Sequence, residues 1–220
     1  MPTILQSINH RLTIKIERFL GLDFTGVIAT EKLGLDKTLV SKGSPSGNKF
    51  LKKLLQDLAI SDKDRFLDIG CSKGSAMRTT NKFPFERVDG LELSGKLAEI
   101  AKSNFEKLHV ENTSIHHINA TEFKGYNDYN FYYLYNPFPA VVMERVMQEI
   151  NRQNTLNELK YIIYNNPVCA EVVLKSGFKK IKTYPDMWGN GIHLFSNKYN
   201  FLKCLFARLK IVFKLEFRIE

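Results

Sequence analysis

The stretch Phe66-Leu67-Asp68-Ile69-Gly70-Cys71-Ser72-Lys73-Gly74-Ser75 holds the most informative chemistry in the sequence: an apolar run ends in an acid and passes into a turn of small residues. Glycine is used where backbone must approach a ligand closely or take a positive φ, so Gly70 and Gly74 mark a candidate crevice for a nucleotide-like ligand. Their spacing discriminates between ligands. A dinucleotide fingerprint needs glycines at 70, 72 and 75, where this chain has Ser72 and Ser75, and no GxxxxGK[ST] phosphate loop is present. Neither NAD nor a nucleoside triphosphate is favoured. The next apolar run, Val88-Asp89-Gly90-Leu91-Glu92-Leu93-Ser94, places Glu92 where an acid can accept from two neighbouring ribose hydroxyls at once; the alternative is a strand-end surface acid.

The pattern Asp68-x-Gly70-x-Ser72-x-Gly74 resembles motif I, (D/E)xGxGxG, of the class I S-adenosylmethionine-dependent methyltransferases, with Ser72 at the middle glycine. In that family the acid ending the second strand is the ribose ligand, the position of Glu92 here. The third run ends Ile118-Asn119-Ala120-Thr121-Glu122-Phe123, where the family often has Gly-Asp-Ala and the acid meets the adenine amino group. Asn119 can accept that bond through its amide oxygen, or it is an ordinary turn residue. The fourth run leads into Asn136-Pro137-Phe138-Pro139, which resembles the (D/N)PP(Y/F) motif of amino-group methyltransferases with Phe138 at the second proline. In that motif backbone and amide oxygens hold the acceptor nitrogen and the aromatic stacks against it; the alternative is a turn in which proline stops a strand. Tyr164-Asn165-Asn166-Pro167 and Ser176-Gly177-Phe178 follow in family order, with Ser44-Pro45-Ser46 upstream. The resemblance covers approximately 40–197 and is to bacterial methyltransferase-like proteins of unassigned acceptor.

That resemblance implies S-adenosyl-L-methionine as cofactor, held by Asp68, Gly70, Ser72, Lys73, Gly74, Glu92, Asn119 and Ala120, with Asn136, Pro137 and Phe138 orienting the acceptor. Asp68 is expected to orient the loop rather than move protons. Lys73 either neutralises the methionine carboxylate or points to solvent. Phe138 shapes the pocket and favours the departing positive charge by cation–π attraction. No metal is called for. His116 and His117 alternate across a strand and face opposite ways, so they form no metal pair. Trp188 either lines the acceptor pocket or packs.

Positioning these residues requires an α/β fold. Apolar runs recur at Arg65–Ile69, Arg87–Leu93, Ser114–Asn119, Asn130–Tyr135, Lys160–Tyr164, Lys179–Tyr184 and Gly191–Phe195, the first five separated by helix-length intervals. A doubly wound, mostly parallel sheet of seven strands with an antiparallel edge strand is expected, because Pro185–Asn190 leaves no room for a crossover helix. Residues 4–20 read as an amphipathic helix, 21–47 as irregular cover, and Phe50, Leu51, Leu54, Leu55 and Leu58 as a second helical stripe. Residues 198–220 read as a basic amphipathic helix, which either packs on the body or meets an anionic membrane or partner. The expected division is 1–49 as cover, 50–197 as methyltransferase domain and 198–220 as tail.

Composition bounds the rest. With 220 residues, 44% hydrophobic, and 32 Lys+Arg against 23 Asp+Glu, the chain reads as one basic globular domain of net charge +9. Cys71, Cys169 and Cys204 form no CxxC pair, which argues against a disulfide framework or structural zinc. No apolar stretch has signal-peptide or membrane-spanning character, and the expected compartment is the cytoplasm. The functional expectation is methyl transfer to an amine of a small molecule or protein. The alternatives are an RNA or DNA methyltransferase, and a non-catalytic module docking through its basic tail; an NAD-dependent oxidoreductase is a distant third.

Overall fold

A computed structural model of the chain describes residues 4–28, 33, 46–186 and 189–198. Trp188, Ser44, Pro45 and residues 199–220 of the expected tail helix lie outside the described residues. The division into cover, domain and tail therefore stays an expectation.

The chain opens with helix α1 (Ile4–Phe19), then α2 (Lys49–Asp57), whose N-terminus is capped by Asn48 accepting from the N–H groups of Phe50 and Leu51. Strand and helix then alternate: β1 (Arg65–Ile69), α3 (Ser75–Thr80), β2 (Arg87–Glu92), α4 (Gly95–Lys107), β3 (Ile115–His117), β4 (Phe131–Tyr135), α5 (Ala140–Gln153), β5 (Tyr161–Asn165), α6 (Ala170–Lys175), β6 (Lys179–Tyr184) and β7 (Ile192–Ser196). Each strand falls within or one residue beyond an expected run. Near-continuous burial along β1, β2, β4 and β5 explains why these strands read as unbroken apolar runs: both sheet faces are covered.

The seven strands lie in the order β3-β2-β1-β4-β5-β7-β6. Pairing is parallel from β3 through β5, and β7 runs antiparallel to both β5 and β6. The antiparallel pair is thus at one edge as expected, with β7 inserted inside and β6 outermost. Alternation sends Phe66, Phe131, Tyr133 and Ile163 to a layer shared with Leu51, Leu54, Met77, Ala101 and Phe105 of α2, α3 and α4. Leu67, Ile69, Tyr132, Leu134 and Ile162 face Met143, Val146, Ile150 and Val173 of α5 and α6. The chain leaves β1 toward β2 on one side and returns as β4 on the other. A ligand crevice is therefore expected beyond the carboxyl ends of β1 and β4. Among the described residues, no helix is long and apolar enough to cross a membrane.

Candidate functional site

Three turns meet at that crevice. After β1, Gly70 (φ 85), Ser72 (φ 51) and Gly74 (φ 84) all adopt the left-handed region, and the N–H groups of Gly70 and Cys71 both donate to Leu91 O at 2.9 Å. Gly70 lacks a side chain for a specific reason: a Cβ there would lie 2.9 Å from the Pro137 Cβ. The glycine turn and the Asn136-Pro137-Phe138 turn after β4 are therefore packed directly on one another. Gly74 approaches α4 as closely, its absent Cβ falling 2.5 Å from the Phe105 ring.

Glu92, at the end of β2, is buried and clamps the turn. Its Oε2 accepts from Ser72 N and its Oε1 from Ser94 N, both at 2.8 Å. Burial raises its pKa, partly opposed by those N–H donors. Each carboxylate oxygen offers about two acceptor positions, so capacity for two hydroxyl groups remains. Asp68 is 3% exposed and makes no hydrogen bond to any described residue. Burial, and then the charge of Glu92, hold its carboxyl well above the ordinary range. Cys71 beside them is also raised, chiefly by burial, which leaves it an inert thiol.

Two polar groups at this crevice were not singled out from the sequence. Tyr133 is the register partner of Asp68 and shares its sheet face; its buried phenol bonds Ser46 and receives Asn165 Nδ2 at 3.1 Å. Asn165 Oδ1 is buried without a partner among the described residues. The crevice therefore contains acceptors, Asp68 and Asn165 Oδ1, without donors among the described residues. Tyr133 reads as core in an aromatic run, and its period-two offset from the strand end was the available signal.

Other expected residues are differently placed. Lys73 does not point to solvent: it is 4% exposed and its ammonium pairs with Asp23 Oδ2. The oxygen of Asn119 accepts from Thr121 N at 3.0 Å and Thr121 Oγ1 at 2.9 Å, capping its own 3-10 turn at Ala120–Glu122. Ala120 heads that turn, so its N–H lacks an intrahelical acceptor. Asn136 sits at φ 41, a conformation asparagine tolerates. Phe138 is 8% exposed and packs in the layer with α5 rather than opening a ring face to the crevice. His117 approaches Leu93 O at 3.2 Å and His116 stands 3.9 Å from Asp89, so the two are separated as alternation required. Among the described residues no three potential ligands gather as a metal site.

An arm from the N-terminal region reaches the glycine turn. Glu17 is buried and accepts from Thr25 N, Thr25 Oγ1, Phe24 N and Arg78 at 2.8–3.2 Å. Phe24 packs edge-on against Phe105 and lies under the Arg78 guanidinium. Asn104 exchanges two hydrogen bonds with the Asp23 backbone and donates a third to Lys73 O. No local pattern announces this arm, because its partners lie 50–81 residues apart in the chain.

No family model matches the sequence, and no curated protein matches it. Solved structures do. A SAM dependent methyltransferase from Aquifex aeolicus is similar at TM-score 0.51 and 11% identity, over 66% of this chain and 87% of that one. A precorrin-6y C5,15-methyltransferase from Geobacter metallireducens gives 0.50 and 15% over 76% and 92%, and an rRNA methylase from Streptococcus thermophilus 0.50 and 10% over 69% and 93%. At such identities the likeness is one of fold. The chain has the class I S-adenosylmethionine-dependent methyltransferase fold, a Rossmann-like doubly wound sheet.

Proposed function

We propose that this chain is an S-adenosylmethionine-dependent methyltransferase acting on an amine of a small molecule or protein. The observation that carries the reading is the crevice at β1, β2 and β4, where a left-handed turn is clamped by Glu92 and Asp68 is buried with no hydrogen bond to any described residue. The likeness in fold to solved methyltransferases supports it.

The donor set fits the cofactor. Glu92 has acceptor capacity left for two ribose hydroxyls, Asp68 can accept from an ammonium, and Gly70 and Gly74 give the turn its left-handed path against Pro137 and Phe105. The Ala120 N–H suits a ring nitrogen better than the Asn119 oxygen suits an amino group, since that oxygen is already doubly engaged. Lys73 meets a carboxylate only by exchanging it for Asp23. When bound, S-adenosylmethionine supplies an activated methyl open to in-line displacement by a lone pair. Asn136 and the carbonyls of its turn orient the acceptor nitrogen, and Pro137 fixes that turn against Gly70. Phe138 anchors the turn from the α5 layer.

One competing reading has observations of its own. Lys73 engaged by Asp23 and Asn119 capping its own turn favour a non-catalytic module of the same fold. Melting temperatures with S-adenosylmethionine, S-adenosylhomocysteine and NADH separate the two. A ligand at about 100 times its dissociation constant adds about 2.7 kcal/mol, which raises the melting point of a protein this size by about 5–10 °C. We expect that rise with the first two ligands and none with NADH. No shift with any, in protein shown by mass spectrometry to carry no bound cofactor, overturns the proposal.

A further inference from the structure

Helix α1 presents an apolar stripe that nothing among the described residues covers. Ile8, Leu12, Ile16 and Phe19 are 55%, 53%, 50% and 90% exposed. At about 100° per residue these four fall within about 80° of one another, a single face of the helix. The contact side of α1 is elsewhere: Glu17 is buried against Arg78 and the Phe24–Thr25 backbone, and Ile14 is half-buried. On the same helical geometry, Glu17 and Ile14 lie roughly opposite the stripe. The greasy face therefore points away from the body.

Its charge identifies the occupant. Arg11, Lys15 and Arg18 are exposed along one flank of the stripe, whereas Asn9 and Thr13 lie along the other. The sole acid of the helix, Glu17, is turned inward and occupied by Arg78. The outward face is consequently apolar and purely cationic. A second copy would bring like charges together. So would the chain's own 199–220, where Lys203, Arg208, Lys210, Lys214 and Arg218 outnumber Glu216 and Glu220. An apolar stripe with basic residues along its edge and no exposed acid matches a helix lying in the plane of an anionic bilayer. We propose that α1 docks this protein on anionic lipid surfaces through Ile8, Leu12, Ile16 and Phe19, with Arg11, Lys15 and Arg18 meeting the headgroups.

The full chain, free of cofactor, is to be co-sedimented with phosphatidylcholine–phosphatidylserine vesicles and with phosphatidylcholine vesicles alone. It binds the mixed vesicles, less at high salt, and the neutral ones much more weakly. Leu12→Glu with Ile16→Glu, both at exposed positions, lowers binding at least about tenfold without moving the melting temperature. Should that variant fold poorly, Arg11→Gln with Lys15→Gln and Arg18→Gln keeps the stripe and loses the preference for phosphatidylserine. Undiminished binding by the variants assigns the membrane contact to another segment and overturns the proposal, as does absence of binding by the wild type. Self-association in sedimentation velocity that Leu12→Glu with Ile16→Glu abolishes assigns the stripe to a second copy and overturns it too. Because no cofactor enters the measurement, its failure leaves the methyltransferase reading untouched.

Discussion

Asp68 and Glu92 are two acids held in one buried corner, and neither ionises there as readily as in water. Burial leads the upward shift in both, and the charge of Glu92 adds to that of Asp68. An acid whose folded pKa exceeds its unfolded value contributes stability in full below the unfolded pKa and loses it as pH rises through the folded one. The ligand-free protein therefore weakens as pH climbs from about 4 through the raised Asp68 value. Asp68→Asn keeps the shape and removes the charge. It is expected to raise neutral-pH stability by about 1 kcal/mol, the usual gain when a strained functional group is relieved, and to flatten melting temperature against pH. The same substitution should weaken S-adenosylmethionine binding, because the acceptor for a ligand donor becomes a poorer one. Denaturation across pH with a parallel ligand titration checks both. A variant less stable than wild type at neutral pH would show that Asp68 is held by partners stronger than its burial.

Elements, rather than single residues, decide how near the site's parts can come. Gly74 sets the entry to α3 at φ 84, with the Phe105 ring of α4 where a side chain would be. Gly74→Ala adds left-handed strain of about 1–2 kcal/mol and an overlap of about 1–3 kcal/mol. A total loss of about 2–5 kcal/mol is expected in urea denaturation, and Phe105→Leu should recover the overlap alone, as a double-mutant cycle would show. This close fit was illegible in the sequence, where Gly74 reads as a glycine making room for a ligand or taking a positive φ, and not as one packed on α4. The strands were legible because burial on both faces gives continuous apolar runs, and the order Asp68, Glu92, Asn119, Asn136 places one polar residue at the end of each of the first four. Chain periodicity does not say what a side chain meets. Lys73 looked solvent-facing or cofactor-facing until Asp23 arrived from the arm, and Phe138 looked like a pocket wall until α5 covered it. Helix α1 shows the same limit in reverse. Its apolar spacing was plain, but an apolar stripe normally faces the core, and here the buried residue is Glu17.

At the scale of the whole molecule, the net charge of +9 is distributed in a way that bears on the acceptor. Its excess is conspicuous at the two ends of the chain: Arg11, Lys15 and Arg18 on α1, and the run from Lys198 to Arg218. The crevice itself presents Asp68 and Glu92, and the lysine of its glycine turn, Lys73, is held by Asp23. A polyanion drawn to the chain ends thus meets acids, not lysines, where methyl transfer would occur. An amine, often cationic before it reacts, meets no such penalty. Four phosphate contacts to a single-stranded acceptor would give a log–log salt slope near −2.8, so a fourfold rise in salt would weaken its use by about 50-fold. For an amine acceptor the efficiency should change far less, since no counterion layer is released. The check is transfer of labelled methyl from S-adenosylmethionine into cell extract at low and physiological salt, with the extract divided into nucleic acid, protein and small-molecule fractions. Label is expected in the protein or small-molecule fraction, insensitive to nuclease and little changed by salt. Label that enters RNA and falls steeply with salt would instead place the acceptor's phosphates against the basic ends of the chain, with only its target base reaching the acids of the crevice.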